Sequence, residues 1–269
     1  MDNNSYIKSH APMEGHTAEK IVGIMGAMPE EISGVVELLT DKREIARGMR
    51  TYYLGKLNGI STVVVFSRWG KVAAATTVTN LILEFNISEL LFTGVAGGMN
   101  AGLRVGDIVI GKRLIQHDMD ARPLMSQFEI PLLGMTYFES PENKTASALA
   151  AVQDLLTNRH LHQVIAAAEL QQFGIVHPKV FVGDIASGDH FFSHGDDKRR
   201  LLSLLPAVLC VEMEGAAVAQ VCHEYNIPFT IIRTISDAAD DHSGVDFQSF
   251  IRQVASKYSV EIIRNIYAF

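Results

Sequence analysis

Residues 21–31 have the sequence IVGIMGAMPEE, which predicts a strand, a tight turn and the start of a helix. The apolar run at 21–25 is typical of a short buried strand. Gly26 suits the turn, Pro29 presets the backbone of a first helical turn, and carboxylates such as Glu31 are favoured at that end of a helix. Apolar residues then recur at helical spacing, at positions 32, 35, 36 and 39. The stretch therefore predicts one strand–helix unit.

The same alternation of patterns continues along the chain. Apolar runs at 51–57 and 60–66 flank Asn58-Gly59, a pair typical of a hairpin turn. Further strand patterns lie at 89–93, 107–115, 179–186 and 229–235, helix patterns at 71–85, 145–157, 198–204 and 247–267, and a strand leading into a helix at 208–225. This order predicts a single α/β domain with a mixed central β-sheet flanked by helices on both faces.

Two segments depart from this pattern. Residues 1–20 contain few sizeable apolar side chains, so we expect a flexible N-terminal arm before a domain at 21–269. Prolines and a glycine interrupt residues 122–143, which predicts a long mobile loop of the kind that covers a site. Its apolar side chains suit either a lid or a subunit interface, and they are Leu124, Met125, Phe128, Leu132 and Leu133.

The composition excludes several classes of protein. The chain has 269 residues, 48% hydrophobic and 20% charged, which is ordinary for a globular domain. The 23 Lys and Arg residues against 30 Asp and Glu give a net charge of −7, too acidic for general binding to a phosphate backbone. We therefore expect no nucleic-acid partner.

Cysteine usage and hydropathy bear on the compartment. Cys210 and Cys222 lie in apolar patterns without metal-ligand spacing, which argues against a disulfide framework or a zinc ribbon and fits a reducing compartment. No signal peptide and no apolar run of transmembrane length is visible. We expect a cytoplasmic protein with no membrane partner.

Candidate functional residues follow the predicted strands, because ligands of open α/β sheets bind outside the carboxyl ends of the strands. Five segments meet this condition, at 26–31, 93–98, 187–192, 211–215 and 233–237. Together they supply carboxylates, small residues and the aromatic pair Phe191-Phe192. A ligand with polar groups and a flat ring would suit this set.

Carboxylates of three segments are candidates for chemistry. Asp237 ends an apolar strand pattern, and apolar surroundings favour the neutral carboxyl that donates a proton, although Ser236-Asp237 could instead cap the next turn. Glu31 could equally be a surface residue favoured by the helix dipole. Glu212 and Glu214 interrupt a buried pattern, so they need partners such as ribose hydroxyls. For one of the two, a salt bridge to Arg233 is the alternative.

We expect neither a cofactor nor a metal. The predicted turn at 94–98 lets the backbone approach a ligand closely, but it has no dinucleotide-binding fingerprint, since a strand follows it. His117-Asp118 lacks further ligands and suits a polar strand end. His160 and His162 lie two residues apart on a predicted helix edge, so they point in different directions.

With these segments identified, the chain resembles the 5′-methylthioadenosine/S-adenosylhomocysteine nucleosidases of the nucleoside phosphorylase superfamily. The resemblance covers residues 21–266 and rests on motifs in the same order. These are Gly-Ala-Met-x-Glu-Glu at 26–31, Gly-Lys-Val-Ala-Ala-Ala at 70–75, Thr-Gly-x-Ala-Gly-Gly at 93–98, Val-Gly-Asp-Ile-Val at 105–109, Ser-Gly-Asp-x-Phe at 187–191, Val-Glu-Met-Glu at 211–214 and Arg-x-Ile-Ser-Asp at 233–237. It implies a nucleoside phosphorylase-like fold.

The resemblance also implies an activity. It is irreversible hydrolysis of the N-glycosidic bond of 5′-substituted adenine nucleosides (5′-methylthioadenosine, S-adenosylhomocysteine, 5′-deoxyadenosine), as in methionine salvage and nucleoside catabolism. By resemblance, Asp237 is the acid that protonates purine N7, steadied by Ser236. Glu31 is the base that activates water, with Arg233 nearby. Physical chemistry agrees, because cleavage leaves a purine anion unless N7 is protonated and places positive charge on the sugar.

The resemblance assigns binding roles as well. Glu214 holds the ribose hydroxyls and Met213 packs on the sugar. Phe191 stacks on the base, the Phe192 backbone contacts the base edge, and the backbone of Ala96 and Gly97 lines the site. Trp69 and Phe247 border the 5′ substituent, although the only tryptophan could instead be a core anchor. A homodimer is expected, in which the neighbouring subunit completes the 5′ pocket.

Three alternatives stay open. Val95 and the contexts at 116–118 and 211–215 also resemble hydrolases of 6-amino-6-deoxyfutalosine in menaquinone synthesis. Arg68 is a cation that a purine nucleoside phosphorylase could use for phosphate, but Glu31 would repel that anion, so hydrolysis is favoured. The third alternative is a catalytically silent nucleoside-binding domain.

Overall fold

The strand at 21–25 and the helix after it are both present in the structure, a computed structural model that describes residues 20–239 and 247–268. The predicted N-terminal arm lies outside the described residues apart from Lys20. The strands are β1 (Ile21–Gly26), β2 (Thr40–Arg47), β3 (Arg50–Leu57), β4 (Ile60–Phe66), β5 (Glu89–Gly98), β6 (Ile108–Gln116), β7 (Phe138–Glu139), β8 (Val180–Ser187), β9 (Val208–Glu212) and β10 (Phe229–Asp237).

The helices alternate with the strands along most of the described chain. They are α1 (Pro29–Glu37), α2 (Lys71–Leu83), α3 (Glu142–Leu155), α4 (Asn158–Val164), α5 (Ala167–Gln172), α6 (Gly195–Leu204), α7 (Gly215–Glu224), α8 (Phe247–Phe250) and α9 (Ser256–Ile266). A π-helical turn, Ile251–Ala255, joins α8 to α9. No helix among the residues described is long and apolar enough to cross a membrane.

The sheet is mixed, as predicted. β5 pairs in parallel with β1 and β10, and β10 pairs antiparallel with β6. β6, β8 and β9 continue in parallel, and β9 returns antiparallel to β5, so five strands close into a ring. β1, β4, β3 and β2 extend the sheet from β5. The hairpin of β3 and β4 turns at Asn58 and Gly59, which both have positive φ, as a type I′ turn requires.

Helices cover both faces of the sheet, which confirms the predicted layers. Alternate residues of β1 show this: Ile24 packs in a cluster with α1, α3 and α9, and Met25 packs in a cluster with α2 and α7. Side chains on successive strand positions point to opposite faces. The central strands are therefore buried on two sides, which explains their continuous apolar runs.

Register brings three strand ends together. Gly97 of β5 lies opposite Asp237 of β10 and opposite Val211 of β9. The residues that end these three strands therefore meet at one place in the sheet. This is the edge at which the strand-end argument predicts the site.

The structure corrects several element predictions. Residues 94–98 are not a turn but the second half of β5, paired with β10 and β9. The polar strand β2 and the short helices α4 and α5 were not predicted. The predicted mobile loop at 122–143 is anchored by buried Phe128, Ile130 and Phe138, and its last residues already belong to α3.

Candidate active site

A cleft with about 570 Å³ of empty space opens where β5, β9 and β10 meet. Twelve of the thirteen predicted site residues line it: Glu31, Trp69, Ala96, Gly97, Phe191, Glu212, Met213, Glu214, Arg233, Ser236, Asp237 and Phe247. The remaining one, Phe192, lines a smaller adjoining cavity together with Gly97 and Asp237. The chain thus collects residues from seven separate segments around one space.

Glu31 is buried at the base of the cleft, at the third position of α1, so it is not a surface residue. Its Oε2 accepts hydrogen bonds from the backbone N–H groups of Ala27 at 2.6 Å and Met28 at 3.0 Å, and its Oε1 accepts one from Val95 at 3.3 Å. Burial raises the pKa of Glu31, and the Arg233 charge and these donors offset only part of that effect. The result is a carboxylate with enhanced basicity.

Arg233 and Glu212 form a buried ion pair in the wall of the cleft. Arg233 Nη2 donates to Glu212 Oε2 at 2.7 Å, and the guanidinium lies over the Phe92 ring, 4.1 Å from its centroid. Glu212 also accepts hydrogen bonds from the Ser187 hydroxyl and from the backbone N–H of Gly215. The salt-bridge alternative therefore holds for Glu212. Its oxygens accept hydrogen bonds from these internal donors, and a contact of Glu212 with ribose hydroxyls stays a prediction.

Glu214 has different surroundings. It is buried, and its Oε1 accepts a hydrogen bond from the backbone N–H of Gly70 at 2.8 Å. Within the described part of the chain its Oε2 has no donor, which leaves that oxygen for a ligand. Burial, reinforced by the negative charge of Glu212, raises the pKa of Glu214 to about 8.

Asp237 ends β10 and is held at both oxygens. The Ser236 hydroxyl donates to Oδ2 at 2.7 Å, and the Ala239 backbone N–H donates to Oδ1 at 2.8 Å. Gly97 allows this packing, because a Cβ at that position would lie 2.8 Å from the Ala239 Cβ and 3.1 Å from Asp237 Oδ1. The carboxyl group is therefore fixed in orientation, with Ser236 as its neighbour as expected.

The two aromatic residues at 191–192 point in different directions. Phe191 is 49% exposed and lines the cleft. Phe192 is buried between the rings of His117 and His190, with edge-on centroid distances of 5.3 and 5.5 Å. Phe191 thus offers a ring to a ligand, whereas the Phe192 side chain anchors the segment.

Trp69 and Arg68 lie on a loop at the rim. Trp69 is 62% exposed, so the core-anchor alternative is wrong. Arg68 does not line the cleft, and its guanidinium donates to the Met49 carbonyl at 2.7 Å. The cation that kept the phosphorylase alternative open is therefore directed away from the site.

The sequence analysis assigned no role to Gly70, Ser187 and Asp189, which support the site. Ser187 is fully buried and links Glu212 to the backbone N–H of Ala216, which donates to its hydroxyl at 2.7 Å. Asp189 accepts a hydrogen bond from the Lys71 N–H at 2.7 Å, beside Gly70. All three residues belong to motifs already quoted, at 70–75 and 187–191, and that position was the available signal.

Two of the residues weighed as metal ligands, Asp118 and His160, have ion-pair partners within the protein. Asp118 forms an ion pair with Lys71 at 2.6 Å, and His160 lies within 3.1 Å of carboxylates on Asp154 and Glu261. Among the residues described, no group of His, Cys, Asp and Glu side chains has an arrangement that could hold a metal ion.

Comparison with known proteins defines the class first. Residues 21–267 match the model of the phosphorylase superfamily, and the chain belongs to that family. It is 36% identical to a 5′-methylthioadenosine/S-adenosylhomocysteine nucleosidase of Actinobacillus succinogenes, covering 92% of this chain and 98% of that protein. It is 35% identical to an aminodeoxyfutalosine nucleosidase of Helicobacter pylori, covering 87% and 93%.

Solved structures of two further proteins are similar to the chain over most of its length. A Streptococcus pyogenes S-adenosylhomocysteine nucleosidase in complex with 5-methylthiotubericidin matches with a TM-score of 0.80 at 30% identity, covering 94% of this chain and 98% of that one. The futalosine hydrolase of Helicobacter pylori matches with a TM-score of 0.78 at 30% identity, covering 92% and 97%. The likeness therefore spans nearly the whole chain.

Proposed function

We propose that this protein is an N-glycosyl hydrolase that releases adenine from 5′-substituted adenine nucleosides, such as 5′-methylthioadenosine and S-adenosylhomocysteine. The observation that carries the proposal is a pair of carboxyl groups with different surroundings on one cleft. Glu31 is buried among backbone donors, whereas Asp237 is partly exposed beside a hydroxyl. Two such groups can divide the acid and base tasks of C–N bond cleavage.

Asp237 is the proposed acid. When the bond between C1′ and N9 breaks, its electron pair moves onto the purine, and a proton delivered to N7 neutralises that charge. The hydrogen bonds from Ser236 and Ala239 hold the carboxyl group in one orientation. A fixed orientation keeps the proton directed at one atom of the base.

Glu31 is the proposed base. The raised pKa of this carboxyl group makes its ionised form a better proton acceptor for the attacking water. The water oxygen bonds to C1′ while its proton passes to Glu31. Positive charge that develops on the sugar is stabilised by the ionised carboxylate.

The remaining residues bind the nucleoside. We assign the ribose hydroxyls to Glu214, whose second oxygen is directed to no donor among the described residues, and the sugar face to Met213. Phe191 stacks on the base, and the backbone of Ala96 and Gly97 lines the same space. Contact of the Phe192 backbone with the base edge is part of this proposal.

The charges favour water over phosphate as the acceptor. Arg233 is the cation that lines the cleft, and it is already paired with Glu212. A phosphate dianion at the water position would meet the Glu31 carboxylate and no unpaired cation of the described residues. This supports hydrolysis over phosphorolysis.

A second candidate substrate is 6-amino-6-deoxyfutalosine. Of the Helicobacter pylori proteins above, one is named an aminodeoxyfutalosine nucleosidase and the other a futalosine hydrolase, at nearly the same identity as the other relatives. A catalytically silent nucleoside-binding domain is less well supported, because it would have no need for Glu31 and Asp237 on one cleft.

Oligomeric state, compartment and pathway are part of the same proposal. Val72, Leu124 and Leu132 expose 79%, 89% and 95% of their surface, which suits burial between two subunits of a homodimer. We propose a cytoplasmic homodimer that acts in methionine salvage. Light scattering after size-exclusion chromatography would test the dimer.

The decisive experiment measures adenine release from 5′-methylthioadenosine, S-adenosylhomocysteine, 6-amino-6-deoxyfutalosine and adenosine, each with and without phosphate. Asp237→Asn serves as the inactive control. Phosphate-independent release in the wild type supports the hydrolase and ranks its substrates. Release that requires phosphate, or no release, would overturn the proposal.

A further inference from the structure

Asp118 lies just after β6 and does not line the cleft, yet both of its carboxylate oxygens are bonded to segments that do. Oδ1 accepts a hydrogen bond from Lys71 Nζ at 2.6 Å, and Oδ2 accepts one from the backbone N–H of Asp189 at 3.0 Å. The ion pair is shielded from solvent, with 18% of the Lys71 side chain and 30% of the Asp118 side chain exposed. One carboxylate therefore joins the start of α2 to the segment that carries Phe191.

Two further carboxylates meet at the N-terminus of α2, whose N-cap residue, Gly70, has no side chain to cap the helix. The Gly70 N–H donates to Glu214 Oε1 at 2.8 Å, and the Lys71 N–H donates to Asp189 Oδ1 at 2.7 Å. Carboxylates are favoured at this end because the first N–H groups lack partners within the helix and the helix dipole is positive there. The start of α2 thus holds Glu214 and Asp189 side by side.

Little space separates these segments. A Cβ at Gly70 would lie 3.0 Å from Asp189 Oδ1, so the carboxylate approaches α2 this closely because position 70 has no side chain. Lys71 Nζ also donates to Gln116 Oε1 at 3.1 Å, which fixes the ammonium group from a second side. Lys71 is therefore held at both its backbone and its side chain, and a change at Asp118 acts on α2 and on Asp189 together.

We infer that Asp118 is a positioning residue for nucleoside binding, which fixes the ribose side of the cleft relative to the base side through Lys71 and Asp189. This inference rests on the proposed hydrolase, in which Glu214 binds the ribose hydroxyls and Phe191 stacks on the base. A nucleoside contacts both residues at once, so its affinity depends on their relative position. Because Asp118 touches no reacting atom, its loss should act on KM more than on kcat.

Asp118→Asn tests the inference, because an amide is uncharged and has one acceptor oxygen where the carboxylate uses two. We expect KM for 5′-methylthioadenosine to rise about tenfold and kcat to change less than about threefold, as for other substitutions that act on a ligand without contacting it. Glu84→Gln is the matched control and should keep the wild-type KM, since it breaks an ion pair with Arg47 at the other end of α2. An unchanged KM in Asp118→Asn would overturn the inference.

A double-mutant cycle distinguishes positioning from a general loss of structure. Lys71→Met removes the other half of the ion pair, so the double variant should raise KM no more than the larger of the two single substitutions does. Independent effects, which multiply in the double variant, would refute the coupling through this pair. Urea unfolding of the same proteins completes the comparison, because lowered stability with a wild-type KM would show an ion pair that serves only the fold.

Binding measured without turnover separates the inference from the proposed function. In the Asp237→Asn background, calorimetry should show that Asp118→Asn lowers the affinity for 5′-methylthioadenosine about tenfold. If this loss is found but the wild type releases no adenine, the hydrolase is wrong and the positioning role stands. If the wild type releases adenine and the affinity is unchanged, the hydrolase stands and the role of Asp118 is wrong.

Discussion

Arg233 and Glu212 form an ion pair beside the cleft, with Nη2 2.7 Å from Oε2 and with 1% and 3% of their side chains exposed. The pair neutralises one of the three buried glutamates of the site, and Glu31 and Glu214 are the other two. When these two are ionised, the cleft carries net negative charge. Such a cleft stabilises a sugar that becomes positive and disfavours anions.

Replacing Glu212 by Gln should destabilise the protein more than it affects chemistry. The substitution leaves the buried Arg233 charge unpaired, at a cost of about 3 kcal/mol in the free energy of unfolding. Urea unfolding would measure the loss, with Glu30→Gln on the exposed side of α1 as the matched control. If Glu212 instead bound substrate, stability would be unchanged and KM would rise, which would refute the structural role.

Glu214→Gln should stabilise the protein at high pH. Because the pKa of Glu214 is raised to about 8 in the folded state, the native protein holds a proton that the unfolded chain has released above its ordinary value of 4.5. The associated stability is therefore complete below that ordinary value and is lost as pH rises through about 8. Gln keeps an oxygen for the Gly70 N–H and carries no charge.

The measurement is unfolding free energy from pH 6 to pH 9. The wild type should lose stability across this range, and Glu214→Gln should lose less, so that it is more stable by at least about 1 kcal/mol at pH 9. Glu31, whose pKa is also raised by burial, contributes a remaining slope of the same sign. Parallel curves for the wild type and Glu214→Gln would contradict the raised pKa.

Much of the fold could be predicted because strands buried on two faces have continuous apolar runs. The run at 21–25 and the Asn58-Gly59 turn are local signals that tertiary contacts did not alter. The second half of β5 could not be predicted in the same way. Gly94 and Gly97 have low strand propensity, but pairing with β10 and β9 holds them extended.

The edge strand β2 shows a different limit. Its sequence, TDKREIAR, is exposed and polar, with one partly buried residue at Ile45, so it lacks the alternation that marks a half-buried strand. Pairing with β3 creates the strand, and its charges suit an edge that should not pair with other chains.

The site could be predicted as a set of residues but not as a set of contacts. Glu212 and Glu214 are both candidates by sequence, since both interrupt an apolar run. What distinguishes them is the position of Arg233, which the strand order of the sheet brings against Glu212. The exposure of Trp69 likewise depends on loop geometry that no local pattern encodes.

Asp237→Asn should reduce kcat by about 10²- to 10⁴-fold, because general-acid catalysis contributes that much and an amide has no proton to donate at neutral pH. Nucleoside affinity, followed by calorimetry, should change little. Asp196→Asn, whose carboxylate is on the exposed start of α6, is the control and should behave as the wild type. Near-normal turnover in Asp237→Asn would mean that the acid lies elsewhere.

Ser236→Ala tests separately whether the Ser236 hydroxyl assists Asp237 as the acid. It removes the 2.7 Å hydrogen bond to Asp237 Oδ2 while the Ala239 N–H still holds Oδ1. A hydrogen bond to a charged group is worth about 1.5–3 kcal/mol, so we expect kcat to fall by roughly 10- to 100-fold with an altered pH profile. An unchanged pH profile would show that Ser236 serves only the backbone turn.

Gly94→Ala should slow hydrolysis by displacing the Glu31 carboxylate, although Glu31 itself is unchanged. A Cβ at position 94 would lie 2.9 Å from Glu31 Oε1 and 3.4 Å from Arg233 Nη1, so the carboxylate must shift away from the Val95 N–H. A displacement of this kind costs up to about 10²-fold in rate, and the fold should lose roughly 1–3 kcal/mol. Gly102→Ala on an exposed turn, where the nearest atom is Asn100 Oδ1 at 3.3 Å, is the control. Adenine release at the wild-type kcat in Gly94→Ala would show that the position of Glu31 is not critical, against its role as the base.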